Sequence, residues 1–254
     1  MRFPGPHACE EALARGELHT LWLAPAAWGR LSKLVAAARQ AGVVIHREPM
    51  EGLDRRSPGQ RHQGVLGEGG PFAYAELEEI LGRVADKGDA ALVLVLDGIT
   101  DPHNLGAILR SAAAAGVDGV ILPERRSAAV NETVVRASAG TAGRVPVCRV
   151  VNLSRTLEDL KAAGLWIYGL ALGEGSRDYL LEAFDRPTAL VLGAEGEGLH
   201  LKIREHCDGL LHIPMPGGVE SLNVSAAAAV TLFRVLARRG AEAPLPSSTP
   251  EVST

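Results

Sequence analysis

Cysteine is scarce in this sequence. Cys9, Cys148 and Cys207 are the only three cysteines among 254 residues, and no two of them form a Cys-x-x-Cys pair. An odd number of isolated thiols indicates neither a disulfide framework nor a zinc site, so we expect no bound metal. This cysteine usage is typical of a protein in a reducing cytoplasm.

Long apolar runs are also missing. No run reaches the roughly 18 residues that a membrane span requires, and residues 1–5 do not begin a signal peptide. The composition, at 46% hydrophobic and 22% charged residues, is that of an ordinary globular protein. We therefore expect a cytoplasmic protein without a membrane partner.

Two common active-site motifs are absent. The sequence contains no G-x-x-x-x-G-K-[ST] phosphate loop and no G-x-S-x-G nucleophile elbow. Its glycine loop at 193–198 has the spacing G-x-x-G-x-G, which differs from the G-x-G-x-x-G of dinucleotide sites. That spacing counts against a nucleotide- or NAD-dependent enzyme on a doubly wound sheet.

Lysine is rare, and the charge is unevenly distributed. Only four of the 26 basic residues are lysines, and the net charge of −4 argues against a general polyanion binder. Residues 1–70 nevertheless hold nine Lys/Arg against seven Asp/Glu, whereas residues 71–240 hold seventeen against twenty-one. Arginine suits phosphate and base recognition, but an Arg/Ala-rich genome composition explains the excess of arginine equally well.

The first 67 residues predict a small α/β domain. Apolar periodicity indicates helices at 8–15 and 27–40 and strands at 18–23, 43–45 and 64–66. Residues 68–71, Glu-Gly-Gly-Pro, then interrupt the pattern and indicate a linker. A charged amphipathic helix at 75–86 completes the connecting segment, which spans residues 68–88.

Residues 89–240 predict a second, larger domain in which strands and helices alternate. Apolar strand runs occur at 91–96, 119–122, 145–150, 165–170, 189–192 and 209–213, with helical stretches at 105–115, 131–138, 153–163 and 199–207. Such alternation is typical of a parallel sheet covered on both faces, with ligands at the carboxyl ends of its strands. Residues 241–254 are rich in Pro, Ser and Thr and are predicted to be a disordered tail.

Three of these strand ends carry unusual residues. The first is followed by an Asp101-Pro102 turn, by Asn104, which we expect to cap a helix, and by Arg110 within that helix. The second runs into the glycine loop that contains Glu195. Taken singly, the asparagine and the glutamate are typical cap or turn residues, and the arginine is typical of a side chain that reaches a surface anion.

The third strand end, residues 213–233, is the most distinctive. A rigid Pro/Gly loop leads to three N-cap types, Ser221, Asn223 and Ser225, and then to a helix that opens with Ala226 to Ala229. Four alanines give the helix high propensity and little width, so we expect another segment to pack very close to it. Because all three strand ends combine a loop with small residues, we infer that they converge on one pocket.

Together the three stretches carry a specific pattern: Asn104-x-Gly106-x-x-x-Arg110-Ser111-Ala112, Leu192-Gly193-x-Glu195-Gly196-x-Gly198, and Ile213-Pro214-Met215-x-Gly217-x-x-x-Ser221-Leu222-Asn223-Val224-Ser225. The pattern resembles the three motifs of the SpoU-type RNA 2′-O-ribose methyltransferases, which belong to the trefoil-knotted SPOUT class. This resemblance covers residues 88–240. Residues 7–67, ending in Arg-His-Gln-Gly-Val, are similar to the ribosomal-protein-L30e-like substrate-binding domain of many such enzymes.

The resemblance implies an α/β fold in which a small L30e-like domain precedes a parallel-sheet domain with a C-terminal trefoil knot. It implies a homodimer that acts on RNA, most similar in layout to the members that methylate a guanosine ribose of bacterial large-subunit (23S) rRNA. The implied cofactor is S-adenosylmethionine. Its binding positions correspond to the backbone of Gly193, Ile213 and Leu222 and to pocket walls from Leu192, Met215 and Gly217.

The resemblance also implies catalytic roles. The family assigns Arg110 as the group that activates the ribose hydroxyl; because guanidinium is a poor base, we expect it to hold the target phosphate and stabilise alkoxide charge. Asn104 and Asn223 are suited to orienting the ribose or Arg110. Glu195 is suited to anchoring a loop amide or pairing with Arg110, and Ser221 to donating to the substrate phosphate.

A further group of basic residues is predicted to capture RNA. Arg55, Arg56, Arg61 and His62 lie beside the linker, and Arg136 lies in the larger domain. Such side chains contact phosphates and stack on unpaired bases. Solvated charge on an ordinary surface explains any one of them equally well.

Several alternatives stay open at this point. Within the same activity, the substrate is transfer RNA or another rRNA loop, including the type whose methylation confers antibiotic resistance. Outside it, the chain is a non-catalytic RNA-binding protein or an NAD-dependent enzyme. The motif residues count against a non-catalytic RNA-binding protein, and the glycine spacing counts against an NAD-dependent enzyme.

Overall fold

The computed structural model describes residues 1–240, so the predicted tail at 241–254 lies outside the described residues. The amino-terminal part contains a four-stranded sheet with the strand order β1-β4-β2-β3. The strands are β1 (Arg2–Pro4), β2 (Leu18–Leu23), β3 (Val44–Arg47) and β4 (Val65–Gly69). Strand β2 is parallel to β3 and antiparallel to β4, and β3 forms one edge of the sheet.

Three helices accompany this sheet: α1 (Pro6–Ala14), α2 (Ser32–Gln40) and α3 (Met50–Arg56). The predicted strand at 18–23 is confirmed residue for residue. Strand β1 and helix α3 were not predicted, because β1 has only three residues and α3 contains Gly52, a poor helix former. Helix α2 begins later than predicted, since residues 25–27 form a separate 3-10 turn.

The linker predicted at 68–71 begins too early. Glu68 and Gly69 belong to β4 and pair with β1 and β2. Glycine is required here because a Cβ at Gly69 would overlap the Glu17 carbonyl, and one at Gly67 would press against Leu18. These glycines therefore mark a close approach of strands rather than a break in the domain.

Residues after the linker form a seven-stranded sheet in the order β7-β6-β5-β10-β8-β11-β9. All its pairings are parallel, as the alternating pattern predicts. Its strands are β5 (Leu92–Asp97), β6 (Gly119–Pro123), β7 (Val147–Val150), β8 (Trp166–Leu170), β9 (Ser176–Asp178), β10 (Thr188–Gly193) and β11 (Gly209–His212). The short strand β9 was not predicted.

Helices cover the sheet: α4 (Leu77–Lys87), α5 (Pro102–Ala115), α6 (Glu132–Ala137), α7 (Leu153–Ala162), α8 (Leu201–Glu205) and α9 (Val224–Arg238). Strand β5 is buried along its whole length, and its alternate residues enter two separate apolar clusters, one on each face of the sheet. Burial of both faces explains why this strand is apolar without alternation.

The amino-terminal domain and the larger domain contact each other on the side of the small sheet where β1 lies. The Arg144 guanidinium donates to the Glu11 carboxylate, with Nε 2.9 Å from Oε2, and Arg15 Nη1 donates to the Gly140 carbonyl at 3.4 Å. The Tyr74 hydroxyl accepts from the Val130 amide at 2.8 Å. The pKa of Glu11 is lowered, mainly by the hydrogen bond from Arg144. Within residues 1–240 no helix has the length and apolar character of a membrane span.

Candidate active site

Helix α5 begins with a cap that leaves Asn104 free. Asp101 is the N-cap residue, and its carboxylate accepts from the amides of His103 at 3.1 Å and Asn104 at 3.2 Å. The prediction that Asn104 caps this helix is therefore wrong. Pro102 occupies the first helical position, so the N-cap residue is the one before it, Asp101. The Asn104 side chain therefore remains available for tertiary contacts.

The three strand-end motifs meet in a hydrogen-bonded cluster of two amides and one carboxylate, which we call the amide–carboxylate cluster (Asn104, Glu195, Asn223). Asn104 Nδ2 donates to Glu195 Oε2 at 3.2 Å, and Asn223 Nδ2 donates to Asn104 Oδ1 at 2.9 Å. Asn223 Nδ2 is also 3.5 Å from Glu195 Oε2. Residues from after β5, β10 and β11 are thus brought to one point, as inferred from the sequence.

Asn223 serves two structures at once. Its Oδ1 atom caps α9 by accepting from the Ser225 amide at 2.9 Å and from the Ser225 hydroxyl at 2.6 Å. Its Nδ2 atom faces the amide–carboxylate cluster. The cap therefore fixes the orientation of the amide, and the start of α9 holds the cluster in place.

Arg110 lies outside this cluster. Its side chain is exposed, and within residues 1–240 it has no hydrogen bond or ion pair. Six residues along a helix turn the side chain by about 240° and advance it by about 9 Å, so Arg110 and Asn104 do not share a face of α5. One of the two roles predicted for Glu195 was pairing with Arg110. In the structure its carboxylate instead accepts from the two asparagines.

A cavity of about 360 Å³ opens beside the amide–carboxylate cluster. Five of the six predicted cofactor positions line it: Leu192, Gly193, Ile213, Met215 and Leu222. Glu195 and Ser221 from the predicted catalytic set also line it, whereas Gly217 does not. The role of Gly217 as a cofactor contact stays a prediction.

The cavity depends on a glycine in its wall. A Cβ at Gly193 would overlap the backbone carbonyl of Gly198, because the loop folds back so that the Gly198 amide donates to the Ala194 carbonyl at 2.9 Å. Gly193 therefore allows the loop to close over the end of β10. No other residue type fits at this position without moving the loop.

The charged residues of the lining are unequally divided. Three carboxylates, of Glu195, Glu197 and Glu220, face one guanidinium, that of Arg204. The remaining walls are mostly apolar, including Leu170, Leu211 and Val224. Such a site favours a ligand with an apolar body and positive charge.

Asp97 is a site residue that sequence reasoning missed. Its buried carboxylate, at the end of β5, accepts from the His200 amide at 2.9 Å and contacts the His200 ring Nδ1 at 3.0 Å. It thereby ties the far end of the glycine loop to the central strand. Its position directly after five apolar residues was a usable signal.

The four alanines of α9 occupy different surroundings. Ala228 is fully buried and Ala227 lines the cavity, so close packing is confirmed for these two. Ala226 is exposed, and the expectation of close packing is wrong for it. Helix α9 packs along α5, which brings the first and third motifs together.

The predicted RNA-binding residues also have different fates. Arg55, Arg61 and Arg136 are exposed. Arg56 lies over the Trp22 ring, with Cζ 3.6 Å from its centroid. His62 is 3% exposed; its Nε2 is 2.9 Å from Asp54 Oδ1, and its Nδ1 accepts from the Gly64 amide. The prediction that His62 contacts RNA is therefore wrong, because its ring holds the loop before β4.

Cys207, which follows α8, is not a candidate nucleophile. Burial raises the pKa of its thiol to about 12. The thiol donates to the Ile203 carbonyl at 3.4 Å. At neutral pH it is therefore a neutral, structural side chain.

Two family models match the chain. Residues 91–233 match the SpoU rRNA Methylase family, and residues 4–75 match a domain described as RNA 2′-O ribose methyltransferase substrate binding. The chain is 49% identical to the 23S rRNA (guanosine-2′-O-)-methyltransferase RlmB of Xanthomonas campestris over 213 residues, 83% of this chain and 84% of that protein. Its identity to the RlmB of Xylella fastidiosa is 46%, over 92% of this chain and 90% of that protein.

Solved structures agree with these matches. An AdoMet-bound rRNA methyltransferase from Sinorhizobium meliloti superimposes with a TM-score of 0.79 at 26% identity, covering 93% of this chain and 86% of that one. The SpoU methyltransferase AviRb from Streptomyces viridochromogenes, in complex with AdoMet, gives 0.79 at 25% identity, with 94% and 90% coverage. Motifs, fold and relatives agree, and the chain belongs to the SpoU rRNA methylase family.

Proposed function

We propose that this protein transfers a methyl group from S-adenosylmethionine to the 2′-hydroxyl of a guanosine ribose in 23S rRNA. The observation that carries the proposal is the amide–carboxylate cluster, in which all three motifs meet beside the cavity. The RlmB relatives, whose names state this reaction, support the choice of RNA and nucleotide.

The cavity residues fit the cofactor. Apolar walls from Leu192, Ile213 and Leu222 suit an adenine ring, and the volume lies in the range of small-molecule sites. The three glutamates of the lining suit a ligand with a sulfonium and an ammonium group. When bound, S-adenosylmethionine supplies a methyl group activated by its positively charged sulfur.

The chain's own residues supply alignment. The amide–carboxylate cluster presents fixed hydrogen-bonding groups at the cavity edge, where they orient the ribose, and Ser221 donates to the substrate phosphate. Because all three motifs are held by hydrogen bonds before the substrate arrives, little ordering remains to be done in the reaction. Such alignment contributes up to roughly 7–11 kcal/mol in favourable cases.

Arg110 is proposed to act through the RNA. Its exposed guanidinium, about 9 Å along α5 from Asn104, binds the phosphate of the target nucleotide and stabilises negative charge on the attacking oxygen. Guanidinium is a poor base, so this role suits Arg110 better than proton removal does. Arg55, Arg61 and Arg136 are exposed and are proposed to add phosphate contacts.

We further propose a homodimer, a trefoil knot through the segment from β10 to α9, and a cytoplasmic location with the rRNA substrate. The dimer is supported by apolar side chains exposed on and near α9, Val230, Phe233 and Leu181. Such a patch is unusual on a solvated helix and suits a second copy. The substitution Phe233→Asp should disrupt the dimer, and analytical ultracentrifugation should then show a monomer.

Methyl incorporation into rRNA tests the proposed function. Wild-type protein is expected to label a 23S rRNA fragment from S-adenosylmethionine, and Arg110→Ala is expected to abolish labelling while the cofactor Kd, from calorimetry, stays within about twofold. Arg155→Ala, which removes an exposed arginine from α7, is the control. Strong turnover by Arg110→Ala, or no labelling of rRNA by the wild type, would contradict the proposal.

A further inference from the structure

Positive charge is concentrated in one short part of the amino-terminal domain. Residues 20–63 hold seven Arg/Lys against three Asp/Glu, a net charge of +4 within a chain whose net charge is −4. Two of the chain's three tryptophans, Trp22 and Trp28, lie in the same segment. This combination of cations and large aromatic rings is what unpaired nucleic acid requires of its binding surface.

Trp22 lies inside a stacked column. The Arg56 guanidinium carbon is 3.6 Å from the centroid of its ring, and the His46 ring is stacked at 4.3 Å with an interplanar angle of 20°. Two groups this close to one ring centre cannot share a face, so they lie on opposite faces. The column therefore ends in two flat groups that stack well on bases, the His46 ring and the Arg56 guanidinium, whose Nε is also 3.7 Å from Glu48 Oε2.

Trp28 carries a second set of arginines. Arg47 lies 4.8 Å and Arg39 5.8 Å from its ring centroid. Both arginines are exposed, and neither has a carboxylate partner in the part of the chain that the structure describes. Uncompensated guanidinium groups beside an aromatic ring bind phosphates and bases together.

Strand β3 connects the two sets, because neighbouring residues of a strand point to opposite faces of the sheet. His46 therefore lies on the Trp22 side and Arg47 on the Trp28 side. We call this region the β3-edge surface (Trp22, Trp28, Arg39, His46, Arg47, Arg56). This surface lies at the edge of the sheet opposite β1. Strand β1 contacts α6 of the larger domain (residues 89–240), which we call the catalytic domain. Three strand spacings of about 4.8 Å separate the two edges.

Protection of an edge strand explains some of this charge, since charged residues prevent strands of other molecules from pairing there. That explanation does not require tryptophans or two arginines around one ring. Another arginine–tryptophan pair, Arg186 over Trp166 at 5.0 Å, provides a comparison. Arg186 is neutralised by Asp185 at 3.2 Å, whereas Arg39 and Arg47 are not neutralised within residues 1–240.

We propose that the β3-edge surface binds an unpaired stretch of the substrate RNA that lies outside the target nucleotide. The proposal rests on the proposed function and assigns to this surface the capture of flanking RNA. Because the surface is on the edge away from the catalytic domain, it contributes to RNA affinity and not to methyl transfer. Short RNA that contains only the target loop should not reach it.

The test compares two RNA lengths with full-length protein. For a long 23S rRNA fragment, Arg39→Gln/Arg47→Gln is expected to raise KM roughly tenfold, with kcat and the cofactor Kd unchanged. The slope of log KM against log salt should fall in magnitude by about 1.4, as expected for two lost contacts to a single strand. For a short fragment of the target loop, the variant and the wild type should have the same KM.

Two further variants separate stacking from charge and from general effects. Trp28→Leu should raise KM for the long fragment without changing the salt slope, and a thermal melt shows whether it is folded. Arg83→Gln/Arg186→Gln removes two arginines elsewhere and should leave KM unchanged. An unchanged KM of Arg39→Gln/Arg47→Gln on the long fragment would overturn the inference. If the wild type methylates no rRNA, the proposed function fails, and filter binding of the long fragment by the same variants still decides the role of the surface.

Discussion

The two domains of this chain present different kinds of surface. The amino-terminal domain, with nine Lys/Arg against seven Asp/Glu in residues 1–70, presents exposed arginines and stacked tryptophans around an open edge. The catalytic domain, with seventeen against twenty-one in residues 71–240, builds its site from backbone, neutral amides and a few carboxylates in a cavity. Charge acts at long range and tolerates displacement, whereas the cavity depends on close contacts. Substitutions in the first region should therefore raise KM, and those in the second should lower kcat or abolish cofactor binding.

Among substitutions that test this difference between the domains, Gly193→Ala is expected to have the largest effect, which is on the cofactor Kd. The added methyl group overlaps the Gly198 carbonyl, so the loop must move away from β10 and the cavity wall is lost. We expect the cofactor Kd to rise by roughly a hundredfold or more, measured by calorimetry, while RNA binding on filters is unchanged. Gly82→Ala in α4, where a Cβ meets no atom within 4 Å, is the matched control and should leave the Kd unchanged. Normal cofactor binding by Gly193→Ala would contradict this account of the cavity.

An intermediate effect is expected from Asn223→Ser. Serine still caps α9, so the melting temperature should hardly change, but the hydrogen bonds to Asn104 and Glu195 are lost. We expect kcat to fall roughly tenfold with KM for RNA unchanged. Asn223→Ala should show the same fall in kcat together with a loss of about 1 kcal/mol of stability. Equal kcat values for Asn223→Ser and the wild type would show that Asn223 acts only as a cap.

The smallest effect is expected from Glu11→Gln, at the contact between the domains. The hydrogen bond from Arg144 lowers the pKa of Glu11, so the folded state binds its proton less tightly than the unfolded chain does. The carboxylate thus stabilises the fold above its ordinary pKa of about 4.5 and loses this contribution as the pH falls through the lower, folded-state value. Since Arg144 is half exposed, we expect a loss of about 0.5–1 kcal/mol at pH 7.

Urea unfolding at two pH values checks this expectation. The difference in unfolding free energy between Glu11→Gln and the wild type should be present at pH 7 and should shrink as the pH falls below the ordinary pKa of about 4.5 and through the lower, folded-state pKa. Glu79→Gln, which breaks the exposed pair with Arg83 within α4, should have a smaller effect at pH 7. A difference that persists unchanged at acidic pH would show that Glu11 acts through packing.

Much of the fold could be predicted from local patterns, because buried parallel strands are continuous apolar runs. The runs at 91–96 and 189–192 correspond to β5 and β10 within one residue at each end. Short elements were missed, since three residues such as β1 carry no periodicity. The surroundings of a polar side chain were harder still to predict. A histidine at position 62 looks the same in the sequence whether its ring faces RNA or is buried against Asp54.

The site could be predicted as a set of residues but not as an arrangement. The motif positions Asn104 and Glu195 were identified, yet their hydrogen bond joins residues 91 positions apart. The position of Asp97 after an apolar strand was a usable signal, but its contact with His200 could not be predicted, because the two residues are 103 positions apart. By contrast, the separation of Arg110 from Asn104 follows from their six-residue spacing on one helix and could have been predicted from the sequence.

The place of β10 in the sheet has a consequence for how the protein is made. This strand lies between β5 and β8, although it is synthesised after both. A nascent chain that has only reached β8 therefore lacks the centre of its sheet and both later motifs. Pairing over such long sequence separations is slow and leaves strand edges exposed in the meantime. Binding of the cofactor is consequently a late event in biogenesis, and a labelled cofactor analogue would report when translated chains reach the mature state.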